Sequence, residues 1–332
     1  MIRPGERMDL LIVETLEPEV MQWLAGRHPT AHAPELAFDP RAFRQALYNV
    51  RAMIVPSSVT LDALMLQSAP VLQAVGRISA GAENIDLEAC ARAEVEVVRS
   101  PTATAEAEAE FMIGALLSLL RRVPVAAPDG AAVGRELGSA TVGLVGMAPA
   151  ARSMAKMLAG FGSRVVGYDP SLHESDPVWE RWRVAPLGLR LLLMQSDAVC
   201  VQLNYFSRYH GLLGERFLSF CKPDQVLVST AHSGLFDEAA LADALTGGRL
   251  AAAWFDSMEP GALEEGRPLH GIETLQVTPR VASTTRESRR RSAWAVARRI
   301  DEVLNERPSG YRELRPLSPV GSADPEDVSW LP

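Results

Sequence analysis

Chemistry enters this sequence through a glycine turn and the acid that follows it. Thr141-Val142-Gly143-Leu144-Val145-Gly146-Met147-Ala148-Pro149-Ala150-Ala151 reads as an apolar, β-branched strand, a tight turn and the start of a helix. Further on, Val165-Val166-Gly167-Tyr168-Asp169-Pro170 reads as a second strand closed by a carboxylate. That is the layout of a dinucleotide-binding βαβ unit. Gly146 lets the backbone reverse without a Cβ clash. A helix over 150–159 aims its unpaired N–H groups at a pyrophosphate. Asp169 is placed to accept from both ribose hydroxyls and to repel a 2′-phosphate, which favours NAD over NADP. The glycine spacing is incomplete. Ala151 is small enough for helix–strand packing, but Ala148 puts a methyl where the pyrophosphate approaches, and Pro149 removes one N–H from the first helical turn. Taken alone, the stretch fits either a nucleotide turn or an ordinary βα turn of a parallel sheet.

The flanking elements must hold that turn. Short apolar runs at 9–14, 52–55, 72–75 and 95–98 alternate with helical patterns at 18–26, from Asp39-Pro40 onward, at 61–67 and at 86–93. A long helix over 105–122 starts with glutamates and ends with arginines, as the helix dipole prefers. A Pro/Ala/Gly-rich linker covers 124–134. After the turn come expected strands at 198–203, 226–229, 251–256 and 275–278, helices at 187–195, 212–220 and 237–246, and an Arg-rich helix over 284–307. The alternation implies an α/β chain of doubly wound parallel sheets.

The bulk numbers set limits. The 332 residues are 47% hydrophobic and 22% charged, enough for a full core, and the net charge of −8 argues against non-specific nucleic-acid binding. Only Lys156 and Lys222 are lysines. Cys90, Cys200 and Cys221 form no Cys-x-x-Cys pair, and no His/Cys cluster has metal-ligand spacing, so no metal is expected. With no signal-like stretch and no membrane-length apolar run, the expectation is a cytoplasmic protein without a membrane partner.

Several blocks in order resemble the D-isomer-specific 2-hydroxyacid dehydrogenase family. They are Val75-Gly76-Arg77-Ile78-Ser79-Ala80-Gly81-Ala82-Glu83-Asn84-Ile85-Asp86, Ala105-Glu106-Ala107-Glu108-Ala109-Glu110, Ser196-Asp197, Lys222-Pro223, Ser229-Thr230-Ala231, Gly234-Leu235-Phe236-Asp237-Glu238 and Phe255-Asp256. The resemblance implies a flavodoxin-like substrate domain (1–102 plus 284–307), a Rossmann NAD-binding domain (103–283) and a Pro-rich tail (308–332). It implies hydride transfer between NAD and a 2-hydroxy or 2-keto acid in the cleft between domains. It assigns Arg77, Ser79, Ala80, Gly81 and Thr104 to the substrate. To the cofactor it assigns Gly146, Met147, Ala148, Pro149, Ala150, Asp169, Pro170, Leu203, Asn204, Thr230, Ala231, Asp256 and Ser283. A homodimer is the default for the class, although the shortened 124–134 linker removes an arm that usually helps build it.

The chemistry of the family needs an arginine for the carboxylate, a histidine for the proton and a glutamate that holds the histidine. Here Thr230-Ala231-His232 puts histidine where the arginine is expected, and Thr278-Pro279-Arg280 puts arginine where the histidine is expected. Counting five residues from Asp256 for the glutamate reaches Gly261, and Glu259 is read as non-catalytic. The loop Gln202-Leu203-Asn204-Tyr205-Phe206 is bulkier than the family's. Three readings follow. In the first, His232 and Arg280 have exchanged places, with Arg280 on the carboxylate and His232 on the proton. In the second, the chain is a non-catalytic NAD-binding or protein-interaction relative. In the third, Ala148 and Pro149 close the turn and neither ligand binds.

Overall fold

The computed structural model describes residues 8–79, 81 and 84–306. Ala80, assigned above to the substrate, and the tail from 308 lie outside them. The first sheet is built from β1 (Leu10–Ile12), α1 (Pro18–Ala25), β2 (Thr30–His32), α2 (Pro40–Ala46), β3 (Ala52–Ile54), α3 (Ala63–Gln67), β4 (Ala74–Gly76), α4 (Leu87–Arg92) and β5 (Glu96–Val98). Its strands run parallel in the order β2-β1-β3-β4-β5. That is the flavodoxin-like doubly wound order. β1, β3 and β4 are buried on both faces and therefore carry unbroken apolar runs. Asp39, Asp62 and Asp86 each accept backbone N–H bonds at the start of the following helix, which fixes where α2, α3 and α4 begin.

The chain leaves this sheet through α5 (Pro101–Arg122), a 22-residue helix. It then forms a two-stranded antiparallel hairpin, β6 (Val125–Ala126) with β7 (Ala132–Val133), where the composition suggested only a linker. The second sheet follows: β8 (Thr141–Val145), α6 (Pro149–Phe161), β9 (Arg164–Tyr168), α7 (Pro177–Arg181), β10 (Ala185–Pro186), α8 (Leu189–Gln195), β11 (Ala198–Val201), α9 (Glu215–Leu218), β12 (Val226–Ser229), α10 (Glu238–Thr246), β13 (Ala252–Phe255) and β14 (Leu275–Val277). Seven parallel strands run β10-β9-β8-β11-β12-β13-β14. The strand order reverses between β8 and β11, which is where such sheets open a ligand crevice. The closing helix α11 (Arg286–Asn305) returns to the first sheet. It lies so close to β4 that a Cβ on Gly76 would meet Val296 Cγ1 at 2.6 Å.

Three local expectations change. β2 was not expected, because Thr-Ala-His is a half-exposed edge strand with no apolar run. The helix expected at 212–220 shrinks to α9, with the residues before it turned into a loop. The segment after Asp169 contains α7, capped by Asp176 and held by Trp179, whose indole N–H donates to His173 O at 2.8 Å. Cys90 and Cys200 are buried and Cys221 is half-buried, all as free thiols. Burial raises all three, Cys221 to about 12, so none is poised as a thiolate. Among the described residues no helix is long and apolar enough to cross a membrane, and no group of three or more His, Cys, Asp or Glu is placed to hold a metal ion.

The turn after β8 makes one strict demand on the sequence. Gly146 has φ +98°, and a Cβ there would lie 2.6 Å from the backbone nitrogen of Leu203. Gly146→Ala combines a left-handed backbone with a clash against main chain, so it should cost about 2 kcal/mol or more. Urea unfolding of the two proteins reads that difference.

Candidate active site

The nucleotide turn is held by its own acid. Gly146 N–H donates to Tyr168 O at 2.7 Å, tying the end of β8 to the end of β9. One residue on, Met147 N–H donates to Asp169 Oδ2 at 2.8 Å. Asp169 Oδ1 accepts from the Ser171 N–H at 2.9 Å and from its hydroxyl at 2.6 Å. The carboxylate is thus fixed beside the turn with its remaining lone pairs available. Ala148 is the N-cap of α6 with φ −58°, an ordinary backbone for a residue with a Cβ, so no glycine is needed there for conformation. Pro149 opens the helix, and Ala150 and Ala151 follow it with the N–H groups of the first turn. Arg152 adds what the motif did not announce. Its Nε donates to Met147 O at 2.8 Å, which places a guanidinium against the turn that has lost an N–H to proline.

A second constellation lies where the two sheets meet. A cleft of about 470 Å³ is lined by Ser57, Arg77, Ser79, Gly81, Glu108, Thr230, Ala231, His232, Asp256, Ser257, Pro279, Arg280, Ala282, Ser283 and Thr284. The fold therefore brings together the substrate-side residues Arg77, Ser79 and Gly81 with His232 and Arg280, which come from loops of the other sheet. Arg77 is 2% exposed. It donates to Val55 O at 3.3 Å, Gly81 O at 3.3 Å and Ser79 Oγ at 2.6 Å, so it ties Ser79 and Gly81 to the end of β3. Thr104 is buried and is not among the lining residues. Gly146 through Ala150, Asp169, Pro170, Leu203 and Asn204 do not line this cleft either. They cluster at the β8–β11 crevice or just beyond it.

Asp256 organises the cleft wall. It is 5% exposed, and its carboxylate accepts from Thr278 Oγ1 at 2.7 Å, Val281 N–H at 2.9 Å and Ala282 N–H at 2.9 Å. Its carbonyl accepts from Arg280 N–H at 2.6 Å. The loop is thereby clamped onto the end of β13. Arg280 itself sits at φ +57°, a left-handed backbone that a non-glycine residue rarely adopts. Its Nε donates to Ser257 Oγ at 2.8 Å.

His232 follows β12 and caps the short 3-10 turn Ser233–Leu235. Its Nδ1 accepts the Gly234 N–H at 3.0 Å. A backbone N–H can only donate, so Nδ1 carries no proton and the neutral ring presents Nε2–H. While that contact is kept, the neutral ring acts through Nε2–H as a hydrogen-bond donor. Tyr205 stacks on the ring, with centroids 4.4 Å apart and planes 19° apart. A side chain on Gly234 would meet His232 Nδ1 at 3.0 Å and Tyr205 Cε2 at 3.1 Å, so glycine there keeps the stack closed.

Two further features bear on the missing glutamate. Gly261 has φ +81°, and the Glu264 carboxylate stands 3.3–3.4 Å from where its Cβ would be. Glu259 and Glu264 line a shallow hollow of about 630 Å³ that shares Arg280 with the cleft. Position 261 lacks a carboxyl, yet carboxylates flank Arg280 on its outer side. Inside the cleft is Glu108, whose Oε1 is 2.7 Å from Thr104 Oγ1. Burial raises its pKa; the hydrogen bond from Thr104 offsets part of that, and the nearby Asp256 charge adds a lesser rise. The sequence showed Glu108 only as one of several glutamates on a helix. Its partial burial was the missing signal.

Comparison with known proteins fits this geometry. The sequence model described as D-isomer specific 2-hydroxyacid dehydrogenase, NAD binding domain, matches residues 120–282. A (S)-sulfolactate dehydrogenase of Chromohalobacter salexigens is 32% identical over 307 residues, covering 90% of this chain and 99% of that protein. The chain belongs to the D-isomer-specific 2-hydroxyacid dehydrogenase family. A D-3-phosphoglycerate dehydrogenase of Mycobacterium tuberculosis is 33% identical over 272 residues, 78% of this chain. The chain spans about half the length of that relative, 50%. In three dimensions the chain resembles a D-lactate dehydrogenase from Aquifex aeolicus, solved with NAD and lactic acid. The TM-score is 0.69 at 20% identity, over 89% of this chain and 93% of that one. The cofactor of the family's nucleotide domain is NAD. The residues at the β8–β9 turn fit it: a helix N-terminus, a guanidinium and a carboxylate placed for a ribose stand side by side.

Two stability measurements test this description. Arg280→Gly and Arg280→Ala both lose the bond to Ser257, and the glycine variant, free of the cost of a left-handed backbone, should be the more stable of the two by about 1 kcal/mol; equal stability would show that the backbone there is not strained. Glu108→Gln should differ from the parent in a pH-dependent way. The folded-state pKa of Glu108 lies above its ordinary 4.5, so its contribution is full below that value and is lost as pH rises through the raised one. Glutamine does not titrate. Urea unfolding across acid to neutral pH should therefore show the variant gaining on the parent as pH rises.

Proposed function

We propose that this chain is an NAD-dependent oxidoreductase that interconverts a 2-hydroxy acid and a 2-keto acid. The observation that carries the reading is the cleft where Arg280, His232, Ser79 and Gly81 line one space at the edges of both sheets. NAD(H), when bound, supplies or accepts the hydride. Asp169 holds the ribose, and the first turn of α6 with Arg152 faces the pyrophosphate. Arg280 and the backbone N–H groups of Ser79 and Gly81 hold the substrate carboxylate, as a guanidinium does best. His232 points Nε2–H at the C2 oxygen and stabilises the charge that grows there during reduction. A fixed neutral imidazole suits that role, and the Tyr205 stack and the Gly234 N–H keep it fixed.

The match to (S)-sulfolactate dehydrogenase over nearly its full length supports 2-hydroxy acid chemistry. A second reading, a non-catalytic NAD-binding or protein-interaction relative, draws on one observation: position 261 has no carboxyl, and His232 cannot take a proton at Nδ1 without losing its backbone bond.

Turnover separates them. A panel of 2-keto acids with NADH should give steady NADH oxidation with at least one member. His232→Ala should lower kcat/KM by about 10²-fold while NADH affinity stays unchanged, and Arg280→Gln should raise KM for the keto acid by about 10²-fold with a smaller change in kcat. Tight NADH binding without any turnover would establish the non-catalytic reading instead.

A further inference from the structure

Reduction of a keto acid needs a proton as well as a hydride, and the cleft must supply it. His232 cannot while its Nδ1 accepts the Gly234 N–H, because losing Nε2–H would then leave an imidazolate. Arg77 and Arg280 do not deprotonate in proteins. Asp256 has both its oxygens engaged by three accepted hydrogen bonds from its own loop, which leaves it turned to that loop rather than to a ligand. Glu259 and Glu264 line the outer hollow rather than the cleft. Among the described residues lining the cleft, that leaves Glu108.

We propose that Glu108 is the acid–base residue of this cleft, donating its carboxyl proton to the C2 oxygen of the keto acid in reduction and recovering it in oxidation. The proposal rests on the dehydrogenase reading above. In reduction, C2 accepts the hydride of NADH, the π pair of the C=O bond moves onto oxygen, and that oxygen takes the proton as the Glu108 O–H bond breaks. The keto acid is reduced, NADH is oxidised to NAD⁺, and solvent returns a proton to the carboxylate.

The surroundings of Glu108 suit both of its states. Thr104 Oγ1 lies 3.2 Å from Pro101 O and 2.7 Å from Glu108 Oε1. A hydroxyl has one proton to give and lone pairs to accept with. When Glu108 is neutral, Thr104 donates to Pro101 O and accepts from the carboxyl. When Glu108 is ionised, Thr104 turns its proton onto the carboxylate. Burial on α5 and the Asp256 charge favour the neutral acid, which is the form reduction consumes. Arg77 beside Ser79 and Gly81, and His232, Asp256 and Arg280 at the ends of the second sheet, are the other ionisable groups that line the same space.

The test uses the full chain and its Glu108→Gln and Glu108→Asp variants, with NADH and whichever keto acid the parent turns over. NADH affinity, read by fluorescence, checks that each variant is folded. The expected result is a fall in kcat for reduction of about 10²-fold or more in Glu108→Gln, partial recovery in Glu108→Asp, and NADH affinity unchanged. The parent's kcat should fall at alkaline pH as Glu108 loses its proton, and that fall should vanish in Glu108→Gln. Independently of turnover, the infrared spectrum of the parent should contain a protonated-carboxyl C=O band that Glu108→Gln lacks. A Glu108→Gln variant within threefold of the parent, or one that keeps the alkaline limb, overturns the proposal while leaving the dehydrogenase reading standing. A parent that binds NADH but reduces no keto acid overturns both.

Discussion

The cleft depends on one buried carboxylate. Asp256 ends β13, and its three accepted hydrogen bonds clamp the chain between β14 and α11 into a single path. That clamp puts the cation at the cleft wall, because the left-handed backbone at Arg280 persists only while its neighbours over-determine it. The same negative charge, buried among N–H groups, also lies near Glu108 and discourages a second ionisation there. One interaction thus positions the group that holds the substrate and biases the protonation of the group proposed to act on it.

The two halves of the site differ in how they tolerate sequence change. At the nucleotide turn, Gly146 has no substitute, since main chain fills the space a side chain would need. Ala148 and Pro149 are accommodated because their backbone angles are ordinary for a helix start, and Arg152 brings charge to the place where Pro149 withholds an N–H. In the cleft, the exchange of histidine and arginine is accompanied by other changes. The loop after β11 supplies Tyr205 to stack on His232, and α5 supplies Glu108. A reading confined to the three replaced positions would count losses only.

Much of the fold was legible because its signals are local. Fully buried parallel strands write unbroken apolar runs, Asp39-Pro40 marks the start of α2, and Gly146 with Asp169 marks the nucleotide turn. β2, the β6–β7 hairpin and α7 were not legible, since each is a short piece held by its neighbours rather than by its own pattern. The candidate site divides the same way. His232 and Arg280 could be named from aligned blocks, but the state of the imidazole is set by a single N–H two residues away. Glu108 lies on a helix whose other early glutamates, Glu106 and Glu110, face solvent. Nothing in the order of residues separates them, and only the packing of the sheets does.

The chain crosses between its two sheets on α5 and again just before α11, and Arg291 of α11 donates to Ala103 O of α5 at 3.0 Å. Glu108 and Arg280 both sit beside these crossings, whereas the Gly146–Asp169 turn lies wholly within one sheet. A rocking of one sheet against the other would therefore change the distance from Arg77, Ser79 and Gly81 to the acid, imidazole and guanidinium while leaving the cofactor's seat intact. Cofactor occupancy and catalytic alignment become separable in time, and solvent viscosity, which slows rigid-body motion without touching either ligand's contacts, is the variable that would tell them apart.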